Sequence, residues 1–98
     1  MVNLRENEEL KLLAEAFLSL QTEEECLSFL EDLMTRKEIS DIGQRLQVAK
    51  MLSEQAVYNK IVEKTGASTA TISRVNRAYH YGSGGYQTIL ERIGEREA

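Results

Sequence analysis

Short polar and basic side chains concentrate between Val57 and Tyr79, in the sequence VYNKIVEKTGASTATISRVNRAY. Hydroxyl groups can donate to or accept from base edges and phosphates, and an alanine or a threonine methyl can contact the methyl group of thymine. Lysine and arginine side chains neutralise phosphates. These residue types, grouped on one short segment, indicate nucleic-acid binding.

The distribution of charge supports this interpretation, although the net charge of the chain is −4. Between Gln55 and Tyr86 four basic residues stand against Glu63 alone, which gives a net charge of +3. Residues 1–34 carry −7. An acidic body with one basic segment is typical of a protein that docks on phosphate through one face.

Two short helices joined by a tight turn would position these side chains. The pattern predicts a first helix over Gln55–Thr65, ended by Gly66 in the left-handed conformation. Ser68 or Thr69 would cap the second helix, with Ile72 and Val75 facing inward. This is a helix-turn-helix, whose second helix fits a major groove. The alternative is two ordinary helices of a bundle.

The rest of the chain also reads as helical, since it contains no proline and only 6 glycines. Thr22 with Glu25, and Thr35 with Glu38, form capping boxes that start helices. The predicted fold class is all-α with six helices and no strand. Besides the helix-turn-helix, the predicted helices cover about 6–20, 22–34, 35–53 and 86–94.

Several function classes are excluded by composition. Cys26 is the only cysteine and His80 the only histidine, so neither a zinc set nor a Cys–His catalytic pair is expected. The predictions are therefore no enzyme, no metal and no cofactor. No apolar run approaches the ~18 residues of a membrane span, and MVNLRENEEL does not resemble a signal peptide, so a cytoplasmic protein with no membrane contact is expected.

Three tyrosines, Tyr79, Tyr81 and Tyr86, surround His80 in the sequence. The favoured interpretation is a packing cluster that seats the last helix, because tyrosine suits half-buried positions. The alternative is a functional role in phosphate binding or in a pH-sensitive contact.

The segment GASTATISR, preceded by EKT and by the upstream IGQRLQVAKML, resembles the Trp repressor family and most closely its YerC/YecD group. The resemblance implies an intertwined homodimer that reads double-stranded DNA, with residues 1–98 forming a single domain. Within it, 6–53 and 86–94 would form the dimer core and 55–79 the helix-turn-helix.

The resemblance also implies which residues contact DNA. Thr69, Ala70 and Ser73 match base-contacting positions. Asn59 and Val62 match positions that are basic in the family, so the operator should differ. Phosphate contacts are expected from the remaining hydroxyl and basic residues of the segment, which are Ser68, Thr71, Lys60, Lys64, Arg74 and Arg77.

Finally, the resemblance implies a pocket for a small-molecule effector, whose identity is unknown. No cofactor is expected. Arg45 and Arg74 match the two arginines that flank the tryptophan corepressor, and Thr35 matches another pocket position. Val75 replaces a glycine and Ala78 replaces a serine, so L-tryptophan is not the expected effector. The alternative for the arginines is structural pairing with nearby acids, which are Asp41, Glu38 and Glu63.

The function predicted from the sequence is therefore a transcriptional regulator, specifically a repressor, that binds a palindromic operator as a homodimer. The alternative is a dimeric helical protein-interaction module whose helix-turn-helix does not bind DNA.

Overall fold

The computed structural model describes residue 3 and residues 5–97. These residues form six α-helices and no strand, which confirms the predicted all-α fold class. The helices are α1 (Glu8–Ser19), α2 (Glu23–Leu33), α3 (Arg36–Ser53), α4 (Tyr58–Thr65), α5 (Thr69–Tyr81) and α6 (Gly85–Glu97).

The chain divides into two compact units, Met1–Ile39 and Ser40–Ala98. In the first unit the rings of Phe17 and Phe29 meet edge to face, with centroids 5.5 Å apart. Neither α1 nor α2 contains a buried residue. Leu12 is 67% exposed and Leu18 is 86% exposed. Several large apolar side chains of these two helices are therefore exposed.

Local capping explains where the helices of the first unit begin. The Thr22 hydroxyl accepts from the Glu25 amide at 3.0 Å, and the Glu25 carboxylate accepts from the Gln21 amide at 2.9 Å. Thr35 and Glu38 form a complete capping box, with reciprocal hydrogen bonds of 3.1 and 2.9 Å. Each pair satisfies amides that a helix start leaves without a partner.

The second unit contains a true core. Its buried side chains come from α3, α4, the turn after α4, and α5, and they are Val48, Ala49, Ile61, Ala67, Ile72 and Val75. Tyr86 and Leu90 of α6 pack against this cluster. The segment around α4 and α5 is thus held by packing from both α3 and α6.

The start of α4 differs from the sequence prediction. Gln55, expected in the helix, has a φ of 63°, and the Ala56 amide donates to the Met51 carbonyl at 3.0 Å. This left-handed residue closes α3 and turns the chain, so α4 begins only at Tyr58. The prediction of a helix from Gln55 was therefore wrong by three residues.

Gly82 ends α5 at a point of close backbone approach. A Cβ at this position would overlap the carbonyl oxygen of Ala78, to which the Gly82 amide donates at 2.9 Å. We expect Gly82→Ala to lower the free energy of unfolding by about 1–3 kcal/mol, because the backbone must shift to relieve the overlap.

Chemical denaturation measures the free energy of unfolding, and a substitution at Gly94 is the control for the one at Gly82. Gly94 lies within α6, and a Cβ there would meet nothing within 4 Å. Gly94→Ala should raise the free energy of unfolding by about 0.5–1 kcal/mol. Equal effects of the two substitutions would contradict the close approach at Gly82.

Candidate nucleic-acid interface

Helix α4 presents two lysines on one exposed side. Ile61 is completely buried in the core, whereas the two lysines on the neighbouring flank of the helix are exposed to solvent. Lys60 and Lys64, one turn apart, are exposed and line one open depression together with Glu63. The two lysines place two positive charges on the surface of α4, partly offset by the Glu63 carboxylate, and neither lysine is buried in the core.

The turn between α4 and α5 is fixed by a dense set of hydrogen bonds. Gly66 has a φ of 72° and its amide donates to Val62. The Thr65 hydroxyl donates to the Ile61 carbonyl at 2.7 Å and accepts from the Ala67 amide at 3.1 Å. Ala67 is buried. These contacts set the direction in which α5 leaves the turn.

Ser68 begins α5 as its N-cap. Its hydroxyl accepts from the Thr71 amide at 3.1 Å and donates to the Thr71 hydroxyl at 3.0 Å. The sequence left open whether Ser68 or Thr69 caps the helix, and the structure assigns Ser68. The first amides of a helix lack partners within it and carry partial positive charge, which suits an anionic oxygen.

The solvent face of α5 is small and polar at its start and basic further along. Thr69, Ala70 and Ser73 are exposed, whereas Ile72 and Val75 are buried. Arg74 and Arg77 follow on the exposed side. Small side chains allow the helix start to approach base edges, and the arginines can reach the flanking phosphates.

The structure brings the nine predicted DNA-contacting residues onto two consecutive helices and the residue that caps the second. Eight of them are exposed, and Thr71, which accepts from the Ser68 hydroxyl, is half-buried. Asn59 and Val62, the non-basic residues of α4, are exposed as well. The predicted contact surface is thus accessible to a large partner.

The residues of the candidate effector pocket have different surroundings. Arg45, Arg74 and Ala78 are exposed, and Thr35 lies in the first unit, where its hydroxyl caps α3. Val75 is only 3% exposed and belongs to the core cluster. The valine side chain is therefore already used in packing.

The tyrosine cluster is a packing feature only in part. The rings of Tyr79 and His80 meet edge to face at 5.1 Å, and Tyr86 packs against the core. Tyr81, in contrast, is 86% exposed.

Two glutamines that the sequence analysis did not single out bond the helix-turn-helix to neighbouring helices, one at the turn and one near the end of α5. The side-chain amide of Gln44 donates to the Thr65 carbonyl at 3.1 Å. That of Gln87 donates to the Tyr79 carbonyl at 2.8 Å. Only the spacing of exposed and buried positions along α3 and α6 could have hinted at them, because glutamine is usually a surface residue.

Comparison of this chain with known proteins identifies its family. The family model described as Trp repressor protein matches residues 8–94. The chain belongs to the Trp repressor protein family. This is a family of regulators rather than of enzymes, and membership favours a DNA-binding regulator.

Individual relatives agree with the family match. The protein YerC of Bacillus subtilis (strain 168), which is described as uncharacterised, is 51% identical over 89 residues, 91% of this chain and 86% of YerC. A crystal structure of a protein from Staphylococcus aureus, proposed to be a Trp repressor, is 44% identical with a TM-score of 0.87, covering 92% of this chain and 90% of that one. A TrpR-like protein from Eubacterium eligens is 49% identical with a TM-score of 0.87, covering 91% and 92%.

The described residues contain neither a membrane-spanning helix nor a cluster of metal ligands. No helix there is long and apolar enough to cross a membrane. The same part of the chain contains no group of three or more His, Cys, Asp or Glu side chains placed to hold a metal ion.

Proposed function

We propose that this protein is a transcriptional repressor that binds a palindromic DNA operator as a homodimer. The observation that carries the proposal is the surface of α5. Small polar side chains and a capped helix start are exposed there, arginines follow on the same helix, and the opposite side is anchored by Ile72 and Val75. A helix of this kind can enter a major groove and contact bases with its first two turns.

The two helices would divide the contacts between them. Thr69, Ala70 and Ser73 contact bases, because they are exposed, small and close to the helix start. Phosphates are contacted by longer or capping groups, which are Lys60, Lys64, Ser68, Thr71, Arg74 and Arg77. Asn59 and Val62 add no charge, so only a few basic side chains bind phosphates. The operator therefore differs from that of relatives with basic residues at these two positions.

Exposed apolar side chains in the first unit support the homodimer. Leu12, Leu18 and Leu27 are each more than half exposed, and neither α1 nor α2 buries a residue within the chain. Covering such a surface with a second copy removes apolar area from water. Two-fold symmetry then presents two copies of α5 about one turn of DNA, or about 34 Å, apart.

L-tryptophan is not the effector in this proposal. Val75 stands where the resemblance implies a glycine beside the corepressor, and its side chain is buried in the core. Ala78 offers no polar group where the resemblance implies a serine. The Val75 side chain would overlap a ligand of the size of tryptophan, and Ala78 would leave a polar group of that ligand without a hydrogen-bond partner. Arg45 and Arg74 stay exposed and available to phosphate or another anion.

Selection of DNA fragments by the purified protein tests this function. Fragments of the source organism's DNA would be incubated with the protein, recovered at several salt concentrations and sequenced. The proposal predicts enrichment of a palindrome and a steep loss of binding as salt rises, because counterions are released from the neutralised phosphates. Enrichment of no sequence, together with salt-insensitive association with a protein, would instead favour the protein-interaction module.

A further inference from the structure

The Gln44 side chain makes a hydrogen bond that joins α3 directly to the helix-turn-helix. Its amide donates to the carbonyl of Thr65, the last residue of α4, at 3.1 Å, and the contact is partly buried. The last carbonyls of a helix have no partner within it. Gln44 therefore satisfies a group that would otherwise need water, at the point where the chain turns toward α5.

Val75 makes the corresponding contact through packing. Its side chain is 3% exposed and lies in the same buried cluster as Val48 and Ala49 of α3 and Ile61 of α4. A fully occupied apolar cluster resists displacement of any one helix, because movement would open a void. The direction of α5 is thus fixed by atoms of the chain itself.

The far end of α5 is held as well. Gln87 of α6 donates to the Tyr79 carbonyl at 2.8 Å, and Tyr86 and Leu90 of the same helix pack on the core. The C-terminal end of α5 is consequently tied to α6, and the end of α4, just before the turn into α5, is tied to α3.

We infer that Gln44 is a positioning residue that, together with Val75, holds the helix-turn-helix ready for DNA without any small-molecule effector. This inference rests on the proposed DNA-binding function for its biological meaning. Its structural content, an α4–α5 pair held in place by side chains of α3 and α6, is independent of that function.

Hydrogen exchange of the ligand-free protein tests the structural part. The protein would be unfolded in denaturant, dialysed to remove carried-over small molecules, and refolded. The hydrogen-bonded amides of α5 from Ile72 to Val75 should then exchange within about tenfold of those of Val48 to Leu52 in α3. Exchange of the α4–α5 amides at rates near those of an unfolded chain would overturn the inference.

Substitution of Gln44 separates positioning from general stability. Gln44→Met keeps the length of the side chain but removes the donor. We expect the hydrogen-bonded amides of Gly66 and Ala67 to exchange about tenfold faster while those of α6 stay unchanged. Gln47→Met is the control, since Gln47 is exposed on the same helix. Equal acceleration in all helices of the unit, or no difference between the two variants, would overturn the positioning role.

Val75→Ala and Val75→Gly extend the test to the packing contact. We expect α4–α5 exchange to rise in that order, as the cavity grows. If the glycine variant does not fold, the alanine variant still decides the matter. Unchanged exchange in a folded Val75→Ala protein would remove Val75 from the inference.

A DNA arm completes the experiment with the operator obtained by selection. The refolded, ligand-free protein should bind with an affinity that changes less than about tenfold when a small-molecule cell extract is added. A larger gain would show that an effector is required and would overturn the inference. Absence of DNA binding with and without extract would refute the proposed function instead, and the exchange data would still decide whether the helix-turn-helix is held without a ligand.

Discussion

Replacing Ile61 with alanine is expected to lower the free energy of unfolding by about 2–5 kcal/mol, the usual range for a fully buried isoleucine. Ile61 has no exposed surface and lies in the cluster that joins α3, α4 and α5. The loss combines the apolar contacts of the missing methyl groups with the cavity they leave. Such a loss is a large fraction of the stability of a small domain, so DNA binding should fall with it. Urea denaturation followed by circular dichroism measures the effect.

The next residue in the chain gives a matched control. Val62 is 37% exposed and sits on the solvent side of the same helix, so Val62→Ala should change the free energy of unfolding by no more than about 0.5 kcal/mol. If the two substitutions destabilised the protein equally, α4 would not be anchored through Ile61 as the structure shows.

Replacing Ser68 with aspartate is expected to reduce operator affinity by about tenfold or more while leaving the protein as stable as the wild type. Aspartate is as good an N-cap as serine, and its charge interacts favourably with the helix dipole. The same charge would lie beside the phosphates that the start of α5 is proposed to contact. Stability and DNA binding should therefore respond in different ways to one substitution.

Ser68→Asn separates charge from shape, because asparagine caps helices equally well but adds no charge. We expect this variant to bind DNA within a few-fold of the wild type. The measurement is fluorescence anisotropy with labelled operator DNA, alongside thermal unfolding of each variant. Equal affinities for the aspartate and asparagine variants would place the DNA backbone away from the start of α5.

Local signals explain why much of the fold could be predicted from the sequence. Thr22, Thr35 and Ser68 each cap a helix through a hydrogen bond within three residues of sequence, and Gly66 adopts the left-handed conformation that glycine tolerates best. The inward direction of Ile72 and Val75 follows from helical periodicity. All of these depend on neighbours in the chain.

The features that were not predicted involve glutamines, which have no strong preference for a helix cap or for the left-handed conformation. Gln55 is left-handed although glutamine does not favour that conformation, so the four-residue gap between α3 and α4 had no signature. The hydrogen bond from Gln44 to Thr65 spans 21 positions, and no local pattern encodes it. The use of Gln87 at the end of α5 is unpredictable for the same reason.

The candidate site was predictable as a set of residues but not as a surface. Composition and charge selected the segment from Lys60 to Arg77, and the structure shows nearly all of its named side chains exposed on α4 and α5. What the sequence did not distinguish is that Thr71 is engaged by the Ser68 cap. The Thr71 hydroxyl oxygen accepts from the Ser68 hydroxyl, and its own hydrogen is left to donate to a phosphate.

Operator affinity across a salt series, measured for the wild type, Lys64→Ala and Ser73→Ala, tests the division of roles between α4 and α5 most directly. Each protein would be titrated against its selected operator and against a scrambled sequence. Lys64→Ala should weaken binding to both sequences alike and reduce the salt slope by roughly one, because one phosphate contact is lost. Ser73→Ala should keep the salt slope and lose affinity for the operator alone. If the two variants behaved alike, α5 would not read bases while α4 binds the backbone.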